Sequence, residues 1–178
     1  MKLPSREHCF ELMKEAGMPE NIVQHSMAVN RVAVYLAAQL KKRGAKIDDG
    51  LVDRASLLHD LDKHLTFENG QHGFVGKKML EEKGFPEVGA FCVSHNLEFP
   101  LNNSFPSLEH KVVFYADKRV NGDKIVPRKE RFEYIKNKYG SRSPMALSKI
   151  LLCEKFLLEV EKELFLLAKI DSSLGGLK

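Results

Sequence analysis

The sequence shows little sign of disulfides, of membrane spans or of an export signal. Its three cysteines, Cys9, Cys92 and Cys153, are odd in number and far apart. That argues against a disulfide framework and for a reducing compartment. No uninterrupted apolar run approaches the roughly 20 residues that a membrane-crossing helix needs. The start, Met1-Lys2-Leu3-Pro4-Ser5-Arg6-Glu7, has no apolar segment behind its basic residue, so no secretory signal is legible. These absences predict a cytoplasmic protein with no membrane partner. Alternating stretches long enough for a strand are lacking too, as are internal repeats. So are the Gly-x-Ser-x-Gly, Walker and dinucleotide-binding glycine patterns, which removes the commonest hydrolase and nucleotide-loop chemistries.

What the chain does have is helical periodicity and well-marked breaks. Its 178 residues suffice for one domain with a core and are too few to expect two. Gly17 before Pro19-Glu20 reads as a helix end followed by a new helix, and Gly84 before Pro86-Glu87 repeats the signal. A long helix is expected from Pro19 to Lys42, and the next one ends in His59-Asp60. Pro106-Ser107 opens another that is expected to continue to about Val120. Asn96 to Phe105 reads as a loop, Asn69-Gly70 and Asn121-Gly122 as breaks, and Gly140 to Pro144 as another. The last helix is expected over Met145 to Ile170, with Ser172 to Gly176 frayed. The reading is an all-α, single-domain helical bundle with a long C-terminal helix. Residues 1–18 form an N-terminal helix, 19–120 the core, and 121–178 a helical extension packed on the same domain.

The chemistry lies in where the histidines fall on the apolar stripes. His25 sits in the series Ile22, His25, Val29, Val32, Leu36. His59 follows Val52 and Ala55, His72 leads Val75, Gly76 and Met79, His95 follows Val88, Phe91 and Cys92, and Asp117 follows Val113 and Phe114. One histidine on an apolar face is usually a hydrogen-bonded core residue. Five titratable groups aimed at one interior from separate helices would be costly to bury together, and a metal ion is the usual compensation. The adjacent pair His59-Asp60 is the sharpest element, because a helix's last turn lets two neighbours flank one ion.

His25, then Leu57-Leu58-His59-Asp60-Leu61-Asp62-Lys63, then Tyr115-Ala116-Asp117 resembles the signature of the HD-domain metal phosphohydrolases, across roughly residues 19 to 120. His72-Gly73 and His95 resemble the subset with two further histidines. That subset includes bacterial enzymes that split diadenosine tetraphosphate symmetrically and the cyclic-dinucleotide phosphodiesterases. The resemblance implies that His25, His59, Asp60 and Asp117 hold a first metal, and that His72 and His95 hold a second, commonly iron, with Asp60 bridging. Here His95 is followed by Asn96-Leu97-Glu98 and Asp117 by Lys118-Arg119-Val120, and no Gly-Tyr-Pro motif follows. Those departures leave the substrate open among phosphate esters and anhydrides.

The expected activity is therefore a metal-dependent phosphohydrolase acting on a nucleotide or related phosphoester through a metal-activated water. One or two divalent ions are implied, among Fe, Mn, Zn, Co, Ni or Mg, with Fe or Mn favoured. Asp60 and Lys63 are expected at the chemistry, with Lys63 and then Arg119 touching the phosphate. Asp62 is read as an orienter of a ligand histidine, a general acid–base, or a plain helix-end charge. Two other classes stay open: a regulatory domain that binds metal or nucleotide without turnover, and a di-iron oxygenase. The basic run Lys118, Arg119, Lys124, Arg128, Lys129, Arg131, Lys136, Lys138 and Arg142 attracts anions, though a solvated helix face is its plainer reading and nucleic acid the last choice. In the final helix, Cys153, Leu157, Val160, Leu164 and Leu167 should dock on the bundle. Leu151, Leu158 and Phe165 form a second stripe, either buried or pairing two copies in a homodimer.

Overall fold

The computed structural model describes residues 1–66, 71–171, 173, 174 and 177. Asn69, Gly70, Ser172, Gly175 and Gly176, where sequence signals suggested a turn and a frayed end, lie outside the described residues. Ten helices are seen among the described residues: α1 (Arg6–Glu15), α2 (Glu20–Lys42), α3 (Asp49–Leu58), α4 (Lys63–Thr66), α5 (Phe74–Glu82), α6 (Pro86–Ser94), α7 (Phe99–Asn102), α8 (Leu108–Asp117), α9 (Arg128–Tyr139) and α10 (Pro144–Ala168). The protein is all-α apart from a two-stranded antiparallel hairpin, β1 (Val120–Asn121) and β2 (Lys124–Ile125).

The helices start and stop for local reasons. The Ser5 hydroxyl accepts from the His8 amide at the start of α1, and the Asp48 carboxylate accepts from the Leu51 amide at the start of α3. Pro86 and Pro144 occupy first-turn positions, where the missing N–H costs nothing. The centre of the bundle is α2, whose Val29, Val32, Ala33, Leu36, Ala37 and Leu40 are fully buried. Helix α2 packs against α3 and α8, and α10 crosses it and leans on α8 and α9, while α5 and α6 form a hairpin laid against α3.

Three expectations need correction. The segment from Asn96 to Phe105 is not all loop, because Phe99–Asn102 closes one helical turn with Pro100 near its start. Helix α8 stops at Asp117, and Val120 pairs with Ile125 in the hairpin, turned by Gly122 at a φ of 63°. On α10, Cys153, Leu157, Val160 and Leu164 are buried as expected, but Leu167 is 44% exposed. Phe165 takes its place in the core because its ring meets the edge of Tyr115, with centroids 5.5 Å apart. The stripe Leu151, Leu158, Phe165 is thereby split, with one end in solvent and the other in the core. No helix among the described residues is long and apolar enough to cross a membrane.

Candidate metal centre

Four histidines and two aspartates meet where α2, α3, α6 and α8 converge. His25 lies on the first turns of α2, His59 is the residue that ends α3, Asp60 is in the turn after it, His95 ends α6, and Asp117 is the last residue of α8. His72 departs from expectation, since it stands in the turn before α5 rather than on a helix. His59 and Asp60 are fully buried, and His25, His95 and Asp117 are nearly so.

Each imidazole is held by its Nδ1. His25 donates to the Gly122 carbonyl at 2.7 Å, His59 to the Ser56 carbonyl at 2.8 Å and His95 to the Phe91 carbonyl at 3.1 Å. A carbonyl only accepts, so the proton of all three rings is on Nδ1. Ser56 lies in the last turn of α3, where carbonyls run out of helical amides, and the Phe91 carbonyl accepts both the backbone amide and the ring N–H of His95. The hairpin earns its place by presenting the Gly122 carbonyl to His25. His72 donates Nδ1–H to Asp62 at 2.9 Å. The other Asp62 oxygen accepts from the amides of Gly73 and Gly76, both at 2.8 Å, so this carboxylate caps α5 and orients His72 at once. Gly73, at a φ of 89°, cannot be replaced freely, because a Cβ there would collide with the Cys92 carbonyl.

The four Nε2 atoms consequently point lone pairs at two carboxylates. Ligand atoms about 2.1 Å from one ion stand about 3.0 Å apart at right angles and about 3.4 Å apart at tetrahedral angles. Asp60 Oδ1 lies 3.2 Å from His72 Nε2 and 3.2 Å from His95 Nε2, which are 3.1 Å from each other. Asp60 Oδ2 lies 3.6 Å from His25 Nε2 and 3.5 Å from His59 Nε2, and Asp117 Oδ1 lies 3.1 Å and 3.9 Å from the same two nitrogens. The spacings fit two cation positions, one on each side of Asp60. His59 Nε2 and Asp60 Oδ1 are buried without any hydrogen-bond partner, a cost that a cation would remove. The residues therefore fit the divalent ions that the motif implies.

The electrostatics agree for His59 and His95, whereas His72 is drawn toward protonation by its two aspartates, so a cation there would displace its Nε2 proton. Burial pushes the His59 pKa down to about 3 and lowers that of His95, so both are bare nitrogen donors. His72 is pushed up to about 9: burial opposes protonation, but Asp60 and Asp62 outweigh it. Burial would also raise the carboxyls, yet Lys63 beside Asp60 and Lys118 beside Asp117 keep both well below the usual range. The Lys63 ammonium sits 2.5 Å from Asp60 Oδ2, and its pKa is raised by Asp60 and Asp117 against the effect of burial.

Some candidates fall elsewhere. Arg119, expected at the phosphate, is buried, with Nε on the Val126 carbonyl and Nη1 on the Tyr115 hydroxyl. The chain leaves helical geometry after Asp117, and these two bonds tie Arg119 to the hairpin region and to α8. Its neighbour Lys118 was missed as a distinct residue, because a lysine in a basic run reads as solvated. It is buried, donates to the His95 carbonyl at 2.8 Å and pairs with Asp117. Cys92 is core, with its thiol on the Leu58 carbonyl. His64 donates to the Ala16 carbonyl, and His110 stacks on Phe91 at 3.8 Å.

The HD domain family model matches residues 22–122. An uncharacterized protein of Methanocaldococcus jannaschii is 32% identical over 146 residues, covering 75% of this chain and 86% of that one. The tRNA (cytidine(56)-2'-O)-methyltransferase of Picrophilus torridus is 24% identical over 91% of this chain and 51% of its own. Ribonuclease Y of Acidothermus cellulolyticus is 30% identical over 64% of this chain and 22% of its own. The chain thus spans most of the first relative, about half of the second and under a quarter of the third. No solved structure matches it. With the family model covering more than half the chain, and its span running from just before His25 to just past Asp117, this protein belongs to the HD domain family.

Proposed function

We propose that the protein is a metal-dependent phosphohydrolase whose ions are held by His25, His59, Asp60 and Asp117 on one side and by His72, His95 and Asp60 on the other. The observation that carries this reading is the set of four Nε2 lone pairs, fixed by four Nδ1–H bonds, converging on two carboxylates. A divalent ion bound there supplies Lewis acidity and lowers the pKa of a water to near neutrality. Imidazole and carboxylate donors suit Fe or Mn, with Zn, Co and Ni also accommodated.

The chain's own residues do the rest. Lys63 offers its ammonium to a phosphate oxygen once a metal ion takes over the charge of Asp60. Asp62 keeps the His72 ring in place, a positioning role. Lys118 holds Asp117 by one oxygen and leaves Oδ1 facing the histidines. A phosphate ester of a nucleotide is the substrate class, and the relatives named for ribonuclease and tRNA methyltransferase activities keep RNA within it. The test is metal analysis of purified protein together with a panel of phosphomonoesters, phosphodiesters and anhydrides, read by phosphate or alcohol release. Metal-dependent turnover that a chelator removes is expected. Bound metal with no hydrolysis of any ester would leave a binding domain, and a mixed-valent iron pair without hydrolysis would indicate an oxygenase.

A further inference from the structure

The metal centre opens on two sides. On the side of His25 and Lys63 is a cleft of about 340 Å³ whose far wall is α9, with Arg131, Tyr134, Lys138 and Tyr139. On the side of His72 is a second cleft of about 490 Å³, lined by Asn96, Leu97, Tyr139 and Arg142. Tyr139 lines both. Each volume falls within the roughly 300–1,000 Å³ range of small-ligand sites, so each side accommodates a group the size of a nucleoside.

The walls have the chemistry of nucleotide binding. The Arg142 guanidinium sits 4.9 Å from the centroid of Tyr139 and the Lys138 ammonium 5.4 Å from it. Arg131 and Lys138 lie 5.4 Å and 5.3 Å from the centroid of Tyr134. Two other cations of this segment are spent within the fold, since Arg128 pairs with Glu154 and Glu161, and Lys136 with Glu133 and Glu154. Among the described residues no salt bridge joins Arg131, Lys138 or Arg142 to a carboxylate. Glu98, the acid beside the second cleft, is paired with Lys149 at 2.8 Å. The expectation of a solvated basic face thus does not describe Arg128 and Lys136, which pair with α10, while Arg131, Lys138 and the tyrosines form a cationic, aromatic wall of the site.

Resting on the phosphohydrolase reading, we propose that the substrate is a phosphodiester between two nucleoside-sized groups, one in each cleft, with the scissile phosphate between His25 and His72. The clefts open on His25 and His72, whose Nε2 atoms lie 3.6 Å and 3.2 Å from the two oxygens of one carboxylate, Asp60, so the two groups are one phosphate apart rather than separated by a polyphosphate chain. Water adds to phosphorus and one P–O bond breaks. One group leaves as an alcohol that takes up a proton, and the other keeps the phosphate as a monoester. A substrate with a terminal phosphate would use one cleft and leave the other without a role.

The experiment compares kcat/KM of the metal-loaded protein for UpA, UMP and diadenosine tetraphosphate, in wild type and in two exposed-residue variants, Lys138→Ala and Arg142→Ala. UpA should be preferred, and each variant should raise its KM about tenfold, the loss of one charge-assisted contact. Preference for UMP or for the tetraphosphate would overturn the proposal. So would an effect of Lys138→Ala with none of Arg142→Ala. If no ester is cleaved the phosphohydrolase reading fails, and the groove is judged by binding of the phosphorothioate analogue of UpA. Weaker binding in both variants would still support two occupied clefts, and unchanged binding in either would refute them.

Discussion

Two polar clusters are buried in this helical core, and they are built on opposite principles. In the first, the Asn30 amide donates to the Asp53 carbonyl, the Asp53 carboxylate and the Ser56 hydroxyl at 2.8–2.9 Å. Arg6 and Arg54 pair with that same carboxylate from the surface side. Donors face acceptors, two guanidinium groups answer the one carboxylate, and nothing further is required. In the second, four imidazoles are fixed by Nδ1–H bonds with their Nε2 atoms turned toward carboxylates, and His59 Nε2 and Asp60 Oδ1 are left without partners. A cluster that satisfies itself ties α1, α2 and α3 together. A cluster that does not leaves a place that a cation could complete.

The contrast predicts opposite losses. Asp60→Ala should abolish metal binding at both positions and all turnover, measured by metal analysis and phosphate release, because Asp60 faces both sets of histidines. Asp53→Ala should leave metal content intact and lower unfolding free energy by about 1–3 kcal/mol, read by denaturant titration, because it strands partly buried donors. A metal-loaded, active Asp60→Ala protein would erase the distinction between the clusters.

Next in size is Lys63→Ala. It should reduce turnover on the order of 10²-fold at unchanged metal content and circular dichroism, as removal of other preorganised donors does. Asp62→Asn should weaken metal binding about 10- to 100-fold in a competition titration, since the amide holds His72 less well than a carboxylate.

The smallest effect concerns His110, whose pKa burial pushes down to about 4 despite Glu109 beside it. Its folded pKa lies below the usual value near 6.5, so the unfolded chain binds the proton more tightly. The stability its neutral form provides is complete above pH 6.5 and is lost as pH falls toward 4. Between pH 7 and pH 5 this amounts to about 2 kcal/mol, and His110→Phe should lose that much less on acidification than wild type.

The self-sufficient and the incomplete cluster were not equally legible in the sequence. His25, His59, His95 and Asp117 could be placed because each falls on an apolar helical stripe at a readable register. Their supports could not, because three are backbone carbonyls, of Ser56, Phe91 and Gly122, and a carbonyl has no letter of its own. The hairpin that brings Gly122 to His25 has two residues per strand, too few for a period of two to show. Lys118 and Arg119 were hidden by their neighbours: in a run of cations, no letter distinguishes the two that are buried from those that stay in solvent. Asp62 had three open readings, and the geometry around Gly73 and Gly76 places it against His72.

The central claim is that Asp60 separates two cation positions, and metal stoichiometry tests it most directly. After anaerobic loading with iron or manganese and removal of free ion, the wild type should retain close to two equivalents by elemental analysis. The His72→Ala/His95→Ala protein should retain about one. A wild type that never exceeds one equivalent would contradict the account, and so would a double variant that still holds two.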